Sequence, residues 1–339
     1  MPKKQFDPSS LTAFGNAAAG HDGVLSDDSG AVVVKPCTQA EIAFYETITA
    51  EHQDLAPHLP AFMGQLQLSA DQQQDAGTAE SGFIQTATGV ERLHGRKLAT
   101  ELHIVLENIT YGFKRPNVLD LKLGAQLWDE AAKPEKRARL DEVSAATTSG
   151  TLGFRIAGMR TYKGDSKESV PEDLKEYTED NGAGYWVYNK MYGRKFSAKN
   201  VEEGFLAYIL PASKSKPELE RAKEIVTYFL GEVNDIQKAF ETKESRMYSA
   251  SILLVYEGDI DEYEKTKAVL SAGKETEDDD DDDDEEDLPK LAAVKMIDFA
   301  HATWHPGKGP DENSIRGMRS TATILEELLK KVDADLEKA

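Results

Sequence analysis

The chain has 339 residues, with 40 Lys and Arg against 61 Asp and Glu and a formal net charge of −21. That length suggests two domains or two packed lobes with room for a sizeable core. Twelve of the acids lie between Glu275 and Asp287, so the remainder carries only −9. A chain of this sign is not expected to bind nucleic acid directly, because sequence-independent duplex binding runs on phosphate neutralisation by Lys and Arg. A single cysteine, Cys37, excludes an intramolecular disulfide framework and a cysteine-based zinc site. Met1–Ser10 lacks the apolar core of a secretory signal, and the longest apolar runs, Ala31–Val34 and Ile252–Tyr256, fall far short of a bilayer span. A soluble intracellular protein is the expectation.

Residues 1–22, rich in Gly, Ala, Ser and Asp, read as a mobile terminus. Asp27-Asp28-Ser29-Gly30 is a turn signal between Gly23–Ser26 and the β-rich Ala31–Lys35, which predicts a hairpin. Thr38-Gln39-Ala40-Glu41 has the spacing of a capping box and opens a helix through about His52, with Ile42, Tyr45, Ile48 and Thr49 on one face. Strands are expected at Phe62–Leu68 and Gly82–Thr88 around a loop at Asp71–Thr78, and another at Leu102–Leu106. Together these make a small α+β lobe. Further on, Gly153–Gly158 and Tyr185–Tyr188 suggest strands. From Pro217, Leu219, Ala222, Val226, Phe229, Val233, Ile236 and Phe240 form one stripe of a long amphipathic helix. Ser251–Glu257 and Lys295–Phe299 read as short strands on either side of the run Asp278–Asp287. Like charges at that density repel and stay solvated, so residues 272–289 are read as a disordered insertion. A last helix is expected over Ser314–Lys331, followed by a tail at 332–339.

The chain has no phosphate-binding loop of the G-x-x-x-x-G-K-[ST] type. It also lacks a G-x-G-x-x-G after a strand and an H-R-D-L-x-x-x-N, which argues against a P-loop NTPase and an ordinary protein kinase. Three patches carry chemistry instead. Pro116-Asn117-Val118-Leu119-Asp120-Leu121-Lys122-Leu123-Gly124 sets Asp120 and Lys122 two residues apart, on one side of an extended segment. Such a pair suits a ligand hydroxyl and a phosphoryl oxygen, or else a strand-end ion pair. Ile297-Asp298-Phe299-Ala300-His301 puts an acid at the end of an apolar strand, in the manner of a kinase metal motif, or simply as a turn cap. Lys133-Pro134-Glu135-Lys136-Arg137-Ala138-Arg139 gathers four cations in an acidic chain. It reads as a solvated helix face, a nuclear-localisation patch or a phosphate-binding surface.

In order and spacing these motifs resemble the inositol polyphosphate kinase family. Its P-x-x-x-D-x-K-x-G signature is matched by Pro116, Asp120, Lys122 and Gly124. Ile297–His301 is similar to its metal motif, Ser249–Leu254 to its Ser-Leu-Leu segment with Ile252 inserted, and Gly153–Arg160 also fits. The resemblance runs from about Val32 to Leu328. It implies an α+β, two-lobed relative of protein kinases with ATP in the cleft: an N-terminal lobe and hinge over 23–109 and a C-terminal lobe over 110–331, with an inositol-binding segment at 125–152. The short stretch between Gly124 and Gly153 resembles the fungal multikinase branch more than the trisphosphate 3-kinases; the hexakisphosphate kinases, which form pyrophosphates, are the alternative.

Carried over by position, the resemblance implies that Lys35 holds ATP phosphates and pairs with Glu41, or with Glu46 one turn on. Glu107 and Ile109 would form the hinge against adenine, and Asp120 would take the ribose. Lys122 would reach the inositol and the transferred group, Asp298 would hold Mg²⁺, and His301, Lys136 and Arg139 would hold substrate phosphates. A polyanionic substrate approaching a chain at −21 needs a local basic patch, because charge is screened within about 8 Å, and Lys133–Arg139 is that patch. The implied reaction is ATP-dependent phosphorylation of inositol trisphosphate and tetrakisphosphate to the pentakisphosphate, with a phosphoinositide lipid also allowed. A monomer in nucleus and cytoplasm is expected. Contact with transcription-regulatory proteins through the acidic run would be a scaffold role beside or instead of catalysis.

Overall fold

The computed structural model describes residues 10–16, 18, 23–68, 83–86, 89–92, 98, 100–164, 170–180, 183–273 and 289–339. Its smaller lobe contains β1 (Thr12–Ala13), β2 (Leu25–Ser26), β3 (Val32–Pro36), α1 (Gln39–Glu51), β4 (Phe62–Gln67), β5 (Phe83–Thr86), β6 (Gly89–Arg92) and β7 (Leu102–Glu107). Five of these strands make an antiparallel sheet in the order β1-β2-β3-β7-β4, and β5–β6 is a separate hairpin. The hairpin predicted around Asp27–Gly30 forms, with Leu25 opposite Val34 and Ser26 opposite Val33. Asp27 holds the turn by accepting from Val32 N at 3.1 Å and from the Ser29 hydroxyl at 2.5 Å.

Within the terminus read as mobile, Thr12–Ala13 pairs with β2 as an edge strand, and Ala18 is buried against Ile109, Val118, Val255 and Ala293. The capping box at α1 is only half made. Thr38 accepts from Glu41 N at 3.2 Å, but the Glu41 carboxylate turns away from the cap to Lys35. The buried face of α1 is Glu41, Ile42, Phe44, Tyr45 and Ile48. Phe44 rotates that face by stacking on Phe299 and Trp304 at 4.9 and 4.8 Å, leaving Thr49 exposed with its hydroxyl on the Tyr45 carbonyl.

The larger lobe follows with β8 (Pro116–Leu123), α2 (Pro134–Ala145), α3 (Thr148–Leu152), β9 (Phe154–Tyr162), β10 (Thr178–Asp180), β11 (Tyr185–Tyr188), α4 (Lys190–Arg194) and α5 (Glu202–Ile209). Then come α6 (Lys216–Glu241), β12 (Ser245–Met247), β13 (Ser251–Glu257), α7 (Ile260–Gly273), β14 (Ala292–Ile297), β15 (Ala302–Trp304) and α8 (Glu312–Leu336). A six-stranded antiparallel sheet, β10-β11-β9-β8-β13-β14, is packed by α6 and α8, which also lie along each other. Every residue of the stripe predicted for α6 is buried. α8 runs on through most of the segment expected to be a tail, because Val332 continues its apolar face into the core. The predicted loop at Asp71–Thr78 and the acidic run Asp278–Asp287 lie outside the described residues. Among those described, no helix is long and apolar enough to cross a membrane.

Candidate active site

The site forms where the two sheets face each other across the segment 107–113. Lys35, on β3, extends its ammonium to Glu41 Oε1 at 2.9 Å and to Asp298 Oδ1 at 2.6 Å. Glu41 is the partner rather than Glu46, which is exposed. Glu41 is 1% exposed at its side chain, against 16% for both Lys35 and Asp298, so the cluster is walled by protein on one side and open to a cleft on the other. Burial alone would lower the pKa of Lys35, but the charges of Asp298 and Glu41 and its hydrogen bonds to both overcome that and raise it. The lysine is therefore a fixed positive charge.

Asp298 follows β14 and adopts φ 67°, a left-handed conformation that is costly for a residue with a Cβ. Only one other non-glycine residue among those described does so, Ser249 at φ 61°, and its carbonyl accepts from Lys122 Nζ at 3.1 Å. Of the two strained residues Asp298 lines the cleft, while Ser249 and Lys122 lie outside its lining. Antiparallel pairing brings the parts together: Ser251 on β13 faces Lys122 on one side and Ile297 on the other, and Leu253 faces Asp120. Asp120 is buried and Lys122 half-buried. The glycine that closes this motif has a specific reason. Gly124 takes φ 98°, and a Cβ there would meet Asn313 Nδ2 at 2.6 Å. Asn313, near the start of α8, accepts from the amides of Ala125 and Gln126 at 2.9 and 2.8 Å and so holds the chain as it leaves β8.

The hinge is fastened mainly by Asn108, whose side chain accepts from Thr110 N and Oγ1 and donates to Gly30 O. Glu107 N donates to Ala61 O, while its carboxylate binds Ala61 N and Lys290. Ile109 is buried and lies between these anchors. Above and below the hinge, Val24, Val33, Pro60 and Leu106 from the small lobe and Val118, Leu253 and Ile297 from the large lobe line a cleft of about 820 Å³ that is partly open to solvent. Lys35, Glu107, Ile109, Asp120 and Asp298 all line it, so five residues singled out in the sequence meet in one cleft. Phe14, Asn16 and Ala18 line it as well. Asn16 Nδ2 reaches Thr110 Oγ1 at 3.2 Å, and Arg160 donates to Gly15 O from the large lobe.

Lys136 and Arg139 stand exposed on the first half of α2, and His301 is tied to that region through Asp129, its Nδ1 lying 2.5 Å from Asp129 Oδ2. Arg137 has another use: it binds the carbonyls of Glu130 and Ala132 and lies over the Trp128 ring. Asn108, Asp129, Asn313, Phe14, Asn16 and Ala18 escape the sequence reading. No motif marks them, and the contacts that bring them to the site also reach distant parts of the chain.

A lobe built on a five-stranded sheet with its lysine on the third strand, a helix glutamate paired to it, a hinge, and an aspartate after an opposing strand define a two-lobed kinase architecture. The model of the inositol polyphosphate kinase family matches residues 103–326. Inositol polyphosphate multikinase of Saccharomyces cerevisiae is 33% identical over 91% of this chain and 96% of its own length, and that of Schizosaccharomyces pombe 28% identical over 94% and 98%. A crystal structure of inositol phosphate multikinase Ipk2 from S. cerevisiae, solved with ADP and Mn²⁺, superposes with a TM-score of 0.65 at 32% identity, covering 88% of this chain and all of that one. Hexakisphosphate kinases of mouse, rat and human match 66% of the chain and about half of their own length. The chain belongs to the inositol polyphosphate kinase family.

Proposed function

We infer that this chain is an ATP-dependent inositol polyphosphate multikinase that phosphorylates hydroxyls of inositol trisphosphate and tetrakisphosphate, ending at the pentakisphosphate. The observation that carries the reading is the Lys35–Asp298 pair at 2.6 Å, facing a hinge-backed cleft that Asp120 also lines, in a chain similar to multikinases over nearly its whole length. The shorter match to hexakisphosphate kinases ranks pyrophosphate formation second. A membrane phosphoinositide presents the same ring chemistry and is a further candidate acceptor.

The residues present suit the cofactors. The apolar walls and the Ile109 backbone fit a purine, Asp120 a ribose diol, and Lys35 phosphate oxygens. No group of three or more His, Cys, Asp or Glu side chains able to hold a metal occurs among the described residues. A lone hard carboxylate such as Asp298, completed by phosphate oxygens and water, is a donor set typical of Mg²⁺. Bound there, the cation would neutralise charge on the phosphate oxygens.

Phosphoryl transfer asks the protein chiefly for positioning and for positive charge around the equatorial oxygens. Lys35, kept charged by Glu41, would bind the nucleotide phosphates, and Lys122 the transferred group and the acceptor ring. Lys136, Arg139 and His301 would hold the acceptor's phosphates, aiming one hydroxyl at the transferred group. Activity in both nucleus and cytoplasm, and contact with transcription-regulatory proteins through residues 272–289, belong to the same proposal on the sequence alone. Incubation with ATP, Mg²⁺ and inositol 1,4,5-trisphosphate should yield tetrakis- and then pentakisphosphate on anion-exchange chromatography, and Asp298→Asn should yield neither. A single tetrakisphosphate, or products formed only from the hexakisphosphate, would refute the multikinase reading.

A further inference from the structure

α2 carries the basic cluster, yet it is scarcely packed. Of its twelve residues only Val143 and Ser144, at its C-terminal end, are buried. The half bearing Lys136 and Arg139 has no apolar anchor, so polar ties must set where those cations stand. Two ties are internal to the segment. Arg137 binds the carbonyls of Glu130 and Ala132, and Trp128 Nε1 donates to Asp141 Oδ1 at 2.6 Å. These make residues 128–141 one unit, which is held from the β8 side where Gln126 Nε2 donates to Trp128 O at 3.0 Å and the Ser144 hydroxyl to Ala125 O at 2.6 Å.

Asp129 connects the unit to the loop that carries Asp298. Its Oδ1 accepts from Ala131 N at 3.0 Å, holding the turn that leads into α2, and its Oδ2 meets His301 Nδ1 at 2.5 Å. His301 lies three residues past Asp298, on a loop held at its other side by the Thr38 hydroxyl on Ala300 O. One carboxylate therefore spans the helix that carries the cations and the loop that carries Asp298. It also fixes the imidazole: with Nδ1 engaged, Nε2 is the nitrogen left for a ligand.

We propose that Asp129 is a positioning residue for the acceptor, setting the register of Lys136 and Arg139 against Asp298 and presenting His301 Nε2 to an acceptor phosphate. This deepens the multikinase reading and rests on it. Asp129 touches neither nucleotide nor acceptor, so its loss is felt through its neighbours.

The test measures acceptor affinity both with and without turnover. Binding of inositol 1,4,5-trisphosphate to the full chain is followed by calorimetry without ATP, and initial rates are taken with each substrate varied. Asp129→Ala should weaken trisphosphate binding and raise its KM about ten-fold or more, the scale of one charge-assisted hydrogen bond, while the KM for ATP stays within about two-fold. Asp129→Asn, which keeps an acceptor oxygen for Nδ1–H, should recover part of that loss. Lys136→Ala should cost less in the Asp129→Ala background than in the wild type, since a cation already out of register has less to lose. Independent, multiplicative losses for the pair, or equal changes in both KM values, would overturn the proposal and leave Asp129 a general stabiliser. Wild-type binding without any product would instead count against the multikinase reading and leave the Asp129 comparison intact.

Discussion

Lys35 and Glu41 show how one ion pair serves both stability and chemistry. Glu41 is almost wholly buried, Oε1 meets Lys35, and Oε2 is buried with no hydrogen-bond partner. Its charge is therefore tolerable only because the lysine is there. Breaking such a pair from one side leaves an uncompensated buried charge and costs about 3–5 kcal/mol, whereas removing both charges is often close to neutral. Lys35→Met should accordingly lose several kcal/mol in urea unfolding and, with the phosphate contact gone, activity by a factor on the order of 10² to 10³. Lys35→Met/Glu41→Gln should regain most of the stability and none of the activity. Equal instability of the single and double variants would show that Glu41 does not depend on the lysine.

At the scale of elements, two helix glycines separate packing from propensity. Gly317 on α8 passes so close to Gly153 that a Cβ would overlap the Gly153 carbonyl, and that carbonyl cannot move away because it accepts from Gly124 N at 2.7 Å. Gly231 on α6 has nothing within 4 Å of its would-be Cβ. Alanine gains up to about 1 kcal/mol over glycine in a helix interior, but overpacking a rigid contact costs about 1–3 kcal/mol. Gly231→Ala should therefore stabilise the protein and Gly317→Ala destabilise it; the same sign for both would refute the packing argument. The elements legible in the sequence were those with a period. α6 shows its stripe, Ser251–Glu257 its apolar run, and Asp120 with Lys122 the two-residue pleat. α7 was not legible because Tyr263 is its only buried residue among those described, which leaves no stripe to read. Asp129 and Asn313 were not legible because what they hold lies 172 and 188 residues away in the chain. The corrected half of the capping box teaches the same lesson: local spacing offered Glu41 a cap, and the half-buried Lys35 drew it elsewhere.

For the molecule as a whole, the lobes are joined by more than the hinge. The turn at residues 53–58, which follows α1 in the small lobe, docks on α6 and β14 of the large lobe. Lys243 pairs with Asp54 at 2.7 Å, and Lys295 donates to Pro57 O at 2.5 Å. His58 sits in this contact. Burial lowers its pKa, and Lys295 lowers it further against the opposing pull of Glu232, Asp235 and Asp54. The imidazole is thus held neutral in the docked state and takes up a proton more readily in the unfolded chain. Where the unfolded state binds more protons, stability rises with pH, so this contact should weaken as pH falls through about 6.5, the ordinary histidine value, toward the lower folded value. His58→Gln replaces the ring with a group that does not titrate. Unfolding midpoints taken from pH 7.5 down to pH 5.5 should fall more steeply for the wild type than for His58→Gln, before carboxylate titration begins to dominate both. Parallel curves would mean that His58 exchanges no protons on unfolding in that window, and that the seam between the lobes owes its pH response to other groups.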